Sequence, residues 1–112
     1  MPDVSVEPAE SETGTVSALA KTSARYGNAA VVTFNSSGDS FSIQDTAADD
    51  HSAVAQVSGH GYYWNPNGAG SSKSFTINFA EGITIKFRAC VGEHATKKIL
   101  HCGDWKTANT AG

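Results

Sequence analysis

The 112 residues predict an all-β chain, a small antiparallel β-sandwich of six to seven strands with an extended N-terminal arm. Three observations carry that prediction. Leu 2 and Met 1 stand against Val 8, Ile 5, Phe 5 and Thr 10, so strand formers dominate and long helix formers are nearly absent. Apolar and polar residues alternate in several short runs after residue 29. Turn-forming clusters of Gly, Asn, Asp, Pro and Ser separate those runs. Helix bundles, membrane spans and nucleotide-binding α/β folds are excluded by the same composition, and 112 residues hold a single core.

The division falls after residue 28. Residues 1–28 hold two of the three prolines, four early acids and no aromatic residue before Tyr26. They read as an extended or flexible arm, with Val4 and Val6 alternating like a short strand and Val16, Leu19 and Ala20 spaced for one helical turn. Residues 29–112 read as the sandwich. Ala30 to Asn35 is its first strand, and Ser36-Ser37-Gly38 turns the chain into a second, where Phe41 and Ile43 alternate with Ser40, Ser42 and Gln44. After the connection 45–50, Val54 and Val57 mark a third strand whose broken alternation predicts a bulge. Gly59-His60-Gly61 turns into Tyr62-Tyr63-Trp64, and Asn65 to Gly70 is the strongest turn signal in the chain. Phe75, Ile77 and Phe79 alternate next, and Ile83, Ile85, Phe87, Ala89 and Val91 follow on one face of a half-buried strand. Gly92 to Thr96 turns into a last strand, Lys97–Cys102, and Trp105 is expected to cover one end of the core.

Cys90 and Cys102 are the only cysteines, and no second Cys or His pair stands at zinc-ligand spacing. They predict a disulfide across the last hairpin, on its outer side or rim because Cys90 falls on the polar face. Such a bond points to an oxidising compartment and hence to export, and an extracellular location is expected. Met1-Pro2-Asp3 has neither the basic nor the apolar region of a signal peptide, which fits a mature chain. The net charge of −3 gives no general attraction to nucleic acid, and no membrane insertion is expected. Charge is nonetheless uneven. Asp3, Glu7, Glu10 and Glu12 make the start acidic, whereas Lys86, Arg88, Lys97, Lys98 and Lys106 make the end basic.

Among residues with chemistry, Asp45, Asp49 and Asp50 are weak candidates for a hard cation, since they lack the Gly and terminal Glu of the twelve-residue calcium loop. Asx-turn hydrogen bonding by Asp45, with His51 nearby, is the structural alternative. His94 and His101, with Glu93, are a fainter metal candidate. No nucleophile elbow is present, and adjacent His51 and Ser52 on a strand would point to opposite faces, so no catalytic residue, enzyme activity or cofactor is expected. Tyr62, Tyr63 and Trp64 suit an aromatic platform, although alternation turns Tyr63 away from the other two.

Asp45-x-x-Ala48-Asp49-x-His51-Ser52, Trp64-Asn65 with Asn67-Gly68-Ala69-Gly70, Arg88-Ala89-Cys90-Val91-Gly92-Glu93, Cys102 and Trp105 together resemble small secreted proteins common in actinobacteria. The resemblance covers about sixty residues from Phe41 to Trp105, with Asp50 standing where that pattern has Gly. It implies secretion, a disulfide and a β fold, but no reaction. Some Streptomyces-type proteins of similar build are adaptors in umbrella toxin particles, joining a lectin-bearing chain to a repeat-bearing toxin chain.

The expected function is therefore a secreted, non-catalytic module that binds another secreted protein, as an adaptor whose arm docks by strand addition. Val4, Val6, Lys21, Arg25 and Tyr26 of the arm, with Tyr62 and Trp64, are the partner-binding candidates. The alternatives are a carbohydrate-binding module using Tyr62, Trp64 and the 65–70 loop, and a serine-protease inhibitor presenting 21–28 or 92–98 as bait.

Overall fold

A computed structural model describes residues 21–47 and 50–111. They form nine strands: β1 (Lys21–Tyr26), β2 (Ala30–Asn35), β3 (Ser40–Asp45), β4 (Ser52–Val57), β5 (Gly61–Asn65), β6 (Ser72–Thr76), β7 (Thr84–Glu93), β8 (Lys98–Cys102) and β9 (Lys106–Asn109). All pair antiparallel. A four-stranded sheet has the order β1-β2-β3-β6, and a five-stranded sheet has the order β5-β4-β7-β8. The ten-residue β7 is long enough to pair β9 through Thr84–Phe87 and β8 through Cys90–Glu93 along the same edge.

The two sheets pack face to face in a sandwich-like arrangement, because alternate side chains of both are apolar. Phe34, Phe41 and Phe87 fill the centre with Val32, Ile43, Val57 and Ile85. Phe41 is the pivot: it lies 4.8 Å from Phe34, 5.5 Å edge-on from Phe87 and 4.9 Å stacked on Phe75, between ring centroids. Aromatic pairs of this kind add about 0.5–1.5 kcal/mol beyond the area they bury.

The all-β class and the disulfide agree with the sequence, and the structure differs in several respects. Among the described residues there are nine strands rather than six or seven, because β1 and β9 are polar edge strands with few inward anchors. Ala24 of β1 is fully buried and Ala108 of β9 packs on the core. Residues 21–26, assigned above to the arm, are thus part of the first sheet, paired with β2 from Lys21↔Asn35 to Tyr26↔Ala30. Residues 1–20 lie outside the described residues.

The bulge expected in β4 is elsewhere. β4 keeps regular register with both neighbours, and the shift falls between Val91 and Gly92 opposite β8. Alternation in β4 is broken for a different reason: the strand is covered on both faces, with Ala53, Ala55 and Val57 in the core and Val54 buried on the outer side. Cys90 lies on the outer side of the hairpin, as expected, but is buried there. It is 0% exposed, since the outer face of this sheet is itself covered. Finally, Trp105 does not close the core but lies on that outer face, 38% exposed.

The connections are held by few, well-placed groups. Gly59 (φ 80°) and Gly61 (φ 89°) flank His60 in the left-handed region, which lets the β4–β5 hairpin turn in so few residues. Asp50 also has positive φ, 61°, at the position where the resembled pattern has Gly. Thr110, buried, donates from Oγ1 to the Ala80 carbonyl (2.7 Å) and accepts from the Ile83 amide (3.0 Å), anchoring the chain after β9. Among the described residues no helix is long and apolar enough to cross a membrane.

Candidate binding surface

Register places Trp64, Val54, Cys90 and Cys102 in one row across the outer face of the five-stranded sheet, and Tyr62, Gln56 and Arg88 in the next. The Cys90–Cys102 disulfide is formed, between residues directly opposed on β7 and β8. It serves as apolar floor beside Val54, and the half-buried Trp64 covers the same floor from β5.

The position of Trp64 depends on Gly92. A β-carbon at residue 92 would stand 2.8 Å from Cη2 of Trp64 and 2.6 Å from the Lys98 carbonyl oxygen. Only a residue without a side chain lets the indole lie against β7 there. The β7–β8 turn then adds two contacts. The Lys97 ammonium sits 5.4 Å from the Trp64 ring centroid, and the His94 ring meets Trp64 edge-on at 5.8 Å. Lys97 has φ 57°, so this tight turn aims its side chain back over the indole.

Trp105 is arranged in the same manner in the neighbouring row. The Arg88 guanidinium lies 4.4 Å from its ring centroid and the Lys86 ammonium 5.6 Å, while Arg88 Nε donates to Gln56 Oε1 at 2.6 Å. The outer face therefore carries two tryptophans, each beside cations, and Trp64 shares its row with the disulfide. Cation–π pairs at such half-exposed sites contribute about 0.5–1 kcal/mol.

Tyr63 points the other way, as the alternation predicts. Its ring stacks on Phe75 of β6 at 4.1 Å, 10° from parallel, and its hydroxyl donates to the His60 carbonyl at 3.1 Å. Beside this stack runs a groove of about 300 Å³, lined by Ile43, Tyr62, Tyr63, Trp64, Pro66, Lys73, Phe75 and His94. It lies between β5 and β6, the terminal strands of the two sheets on that side.

Asn65 fixes the end of the groove. Fully buried, it donates from Nδ2 to the Ile43 carbonyl (3.0 Å) and to Ser71 (3.1–3.2 Å), and its Oδ1 accepts from the Asn67 amide (3.1 Å). Read from the sequence it is the start of a turn. In the fold it is the polar clamp that joins β5 to β3 and closes the 65–71 loop. A buried Asn among turn residues has no distinguishing sequence signal.

The other candidates disperse. Lys21 and Arg25 are exposed on β1, and Tyr26 stacks on His101 at 5.9 Å, at the edge of the molecule away from Tyr62 and Trp64. Val4, Val6 and Asp49 lie outside the described residues. Asp45 makes the expected Asx turn, accepting from the Ala47 amide at 3.2 Å, whereas Asp50 is exposed. No group of three metal-ligating side chains occurs among the described residues. A second cleft of about 380 Å³ opens beside that connection, lined by Asp50, His51, Ser52 and Pro66 among others. His94 and His101 do not converge: one meets Trp64 and the other Tyr26, while Glu93 reaches His51 Nδ1 at 3.6 Å. Comparison with family models, curated proteins and solved structures gives no match.

Proposed function

We propose that this chain is a secreted, non-catalytic module that binds another secreted protein, and that its contact surface is the edge built by β5. The observation that carries the reading is the pairing of Tyr62, 46% exposed, with Trp64 beside the groove between β5 and β6. Tyrosine, tryptophan and arginine supply most binding energy at protein interfaces, and here they project from a rigid strand. The disulfide supports an oxidising location. The resemblance to small actinobacterial proteins supports an adaptor role of the umbrella-particle kind, in which this edge would hold one subunit and residues 1–20 another.

The test is affinity capture from the culture fluid of the secreting host, with the native protein and a Tyr62→Ala/Trp64→Ala variant side by side. A stoichiometric protein partner retained by the native chain and lost by the variant supports the reading. Equal recovery by both removes this edge from the interaction.

The second reading is a carbohydrate-binding module on the same residues, favoured by the exposed ring of Tyr62. A glycan array showing binding that Trp64→Ala abolishes would establish it instead. The inhibitor reading has the least support, since His94–Lys97 is a tight turn, with the Lys97 amide bonded to the His94 carbonyl, and not an extended bait.

A further inference from the structure

The groove between β5 and β6 has a chemistry of its own. β6 lies at the end of its sheet and β5 at the end of the other, so each turns one row of backbone N–H and C=O groups outward without a strand partner among the described residues. Free edges invite another strand, and folded proteins usually blunt them. β6 carries such a device. Lys73 is opposite Ile43 in register and Phe75 is opposite Phe41, so both point to the core side of the sheet. Lys73 is thus an inward-pointing charge at the mouth of the groove, exposed and two residues from the Tyr63–Phe75 stack.

The described residues of the groove offer that ammonium no counter-charge. Among the described residues that line the groove there is no carboxylate, and His94 is the other ionisable side chain besides the two tyrosines. Lys97 adds a further cation over Trp64. An apolar strand added to β6 would take water from Lys73 without giving it a partner, which is unfavourable. A strand bearing Asp or Glu opposite Lys73 would instead form an ion pair there.

We propose that this groove takes an extended acidic segment of the partner protein, added antiparallel or parallel to the free edge of β6. Its pattern is an acidic residue beside Lys73 and an apolar residue two positions along, beside Phe75, because strand side chains repeat every second residue. The inference rests on the protein-binding reading above and names the partner's chemistry. Two free strand edges favour a polypeptide over a glycan, since main-chain hydrogen bonds are what an edge provides.

The experiment uses the intact chain and two dye-labelled peptides, Ser-Glu-Thr-Val-Thr-Val-Ser and its counterpart with Lys in place of Glu. Fluorescence anisotropy should show the acidic peptide binding at least about tenfold more tightly, a difference of about 1.4 kcal/mol. Added salt should weaken it. Lys73→Glu, with its thermal midpoint measured to confirm folding, should reverse the ranking. Hydrogen exchange should slow at the β6 amides when the acidic peptide is present. Equal binding of the two peptides, binding of neither at about millimolar concentration, an unchanged ranking in Lys73→Glu, or protection away from β6 would each overturn the proposal. Those failures leave the capture experiment with Tyr62→Ala/Trp64→Ala untouched, so loss of the acidic-strand inference and loss of the protein-binding reading are separately visible.

Discussion

Trp64 of β5 lies against the backbone of Gly92 on β7, two strands away, where no other residue type leaves room for the indole. The contact joins the aromatic edge to the hairpin that bears Lys97 and His94, and it sets how far the ring projects. Gly92→Ala places a β-carbon against both the ring and the Lys98 carbonyl. Chemical denaturation should show a loss of about 1–3 kcal/mol, as for other overpacked sites. Intrinsic tryptophan emission should shift as the ring is displaced, and a Trp64→Ala background should relieve part of the loss.

Asn65 provides the second prediction. Asn65→Ala leaves the Ile43 carbonyl without its side-chain donor and frees the 65–71 loop. The expected loss is about 1–3 kcal/mol, the usual cost of a buried polar group left unpaired. Asn65→Asp should be worse, because a buried carboxylate cannot donate to the Ile43 and Ser71 oxygens. Urea midpoints of the three proteins, compared at constant slope, check the order.

The disulfide should matter in proportion to the smallness of the core. In the chain-entropy model, closing a loop of this size stabilises by about 3 kcal/mol. Reduction under native conditions, or Cys90→Ala/Cys102→Ala, should lower the urea midpoint by a corresponding amount. Because Cys90 is fully buried, reduction of the folded protein should be slow and should accelerate in denaturant. Thiol labelling over time distinguishes this from a bond open to solvent.

Truncation separates β1 from what precedes it. Removing residues 2–20 retains all nine described strands, whereas removing residues 2–26 deletes β1 with its buried Ala24 and the Tyr26–His101 stack. It also uncovers Gly103, which sits against the Arg25 carbonyl. The longer truncation should be less stable than the shorter by well over about 2 kcal/mol, in the range that marks loss of core packing. Comparable melting of the two would mean that β1 contributes little to the sheet.

What the sequence made legible follows from how many faces each strand buries. β2 and β3 have large apolar residues at every second position, and their limits are readable to within a residue. The same alternation in Tyr62-Tyr63-Trp64 correctly divides the cluster, with Tyr63 inward. β1 and β9 escaped because an edge strand can be fastened by very few side chains, here Ala24 and Tyr26 in β1 and Ala108 in β9, and Lys-Thr-Ser-Ala-Arg-Tyr reads as a polar tail. β4 misled in the opposite sense, since covering on both faces erases the period of two. The cations above Trp64 and Trp105 were visible as composition but not as contacts. Those pairs depend on register across strands more than twenty residues apart in the case of Trp64 and Lys97, and no local pattern records it.

The Cys90–Cys102 bond ties neighbours within one sheet and nothing across the interior. Besides the connecting loops, the two leaves are therefore held to each other by side-chain packing and by hydrogen bonds such as Asn65–Ile43, and not by the disulfide. When the molecule breathes, the leaves part like the covers of a book whose stitching runs through one cover alone. The bond keeps the hairpin of the five-stranded leaf closed, so opening is expected to start in the four-stranded leaf, which has no such tie among the described residues.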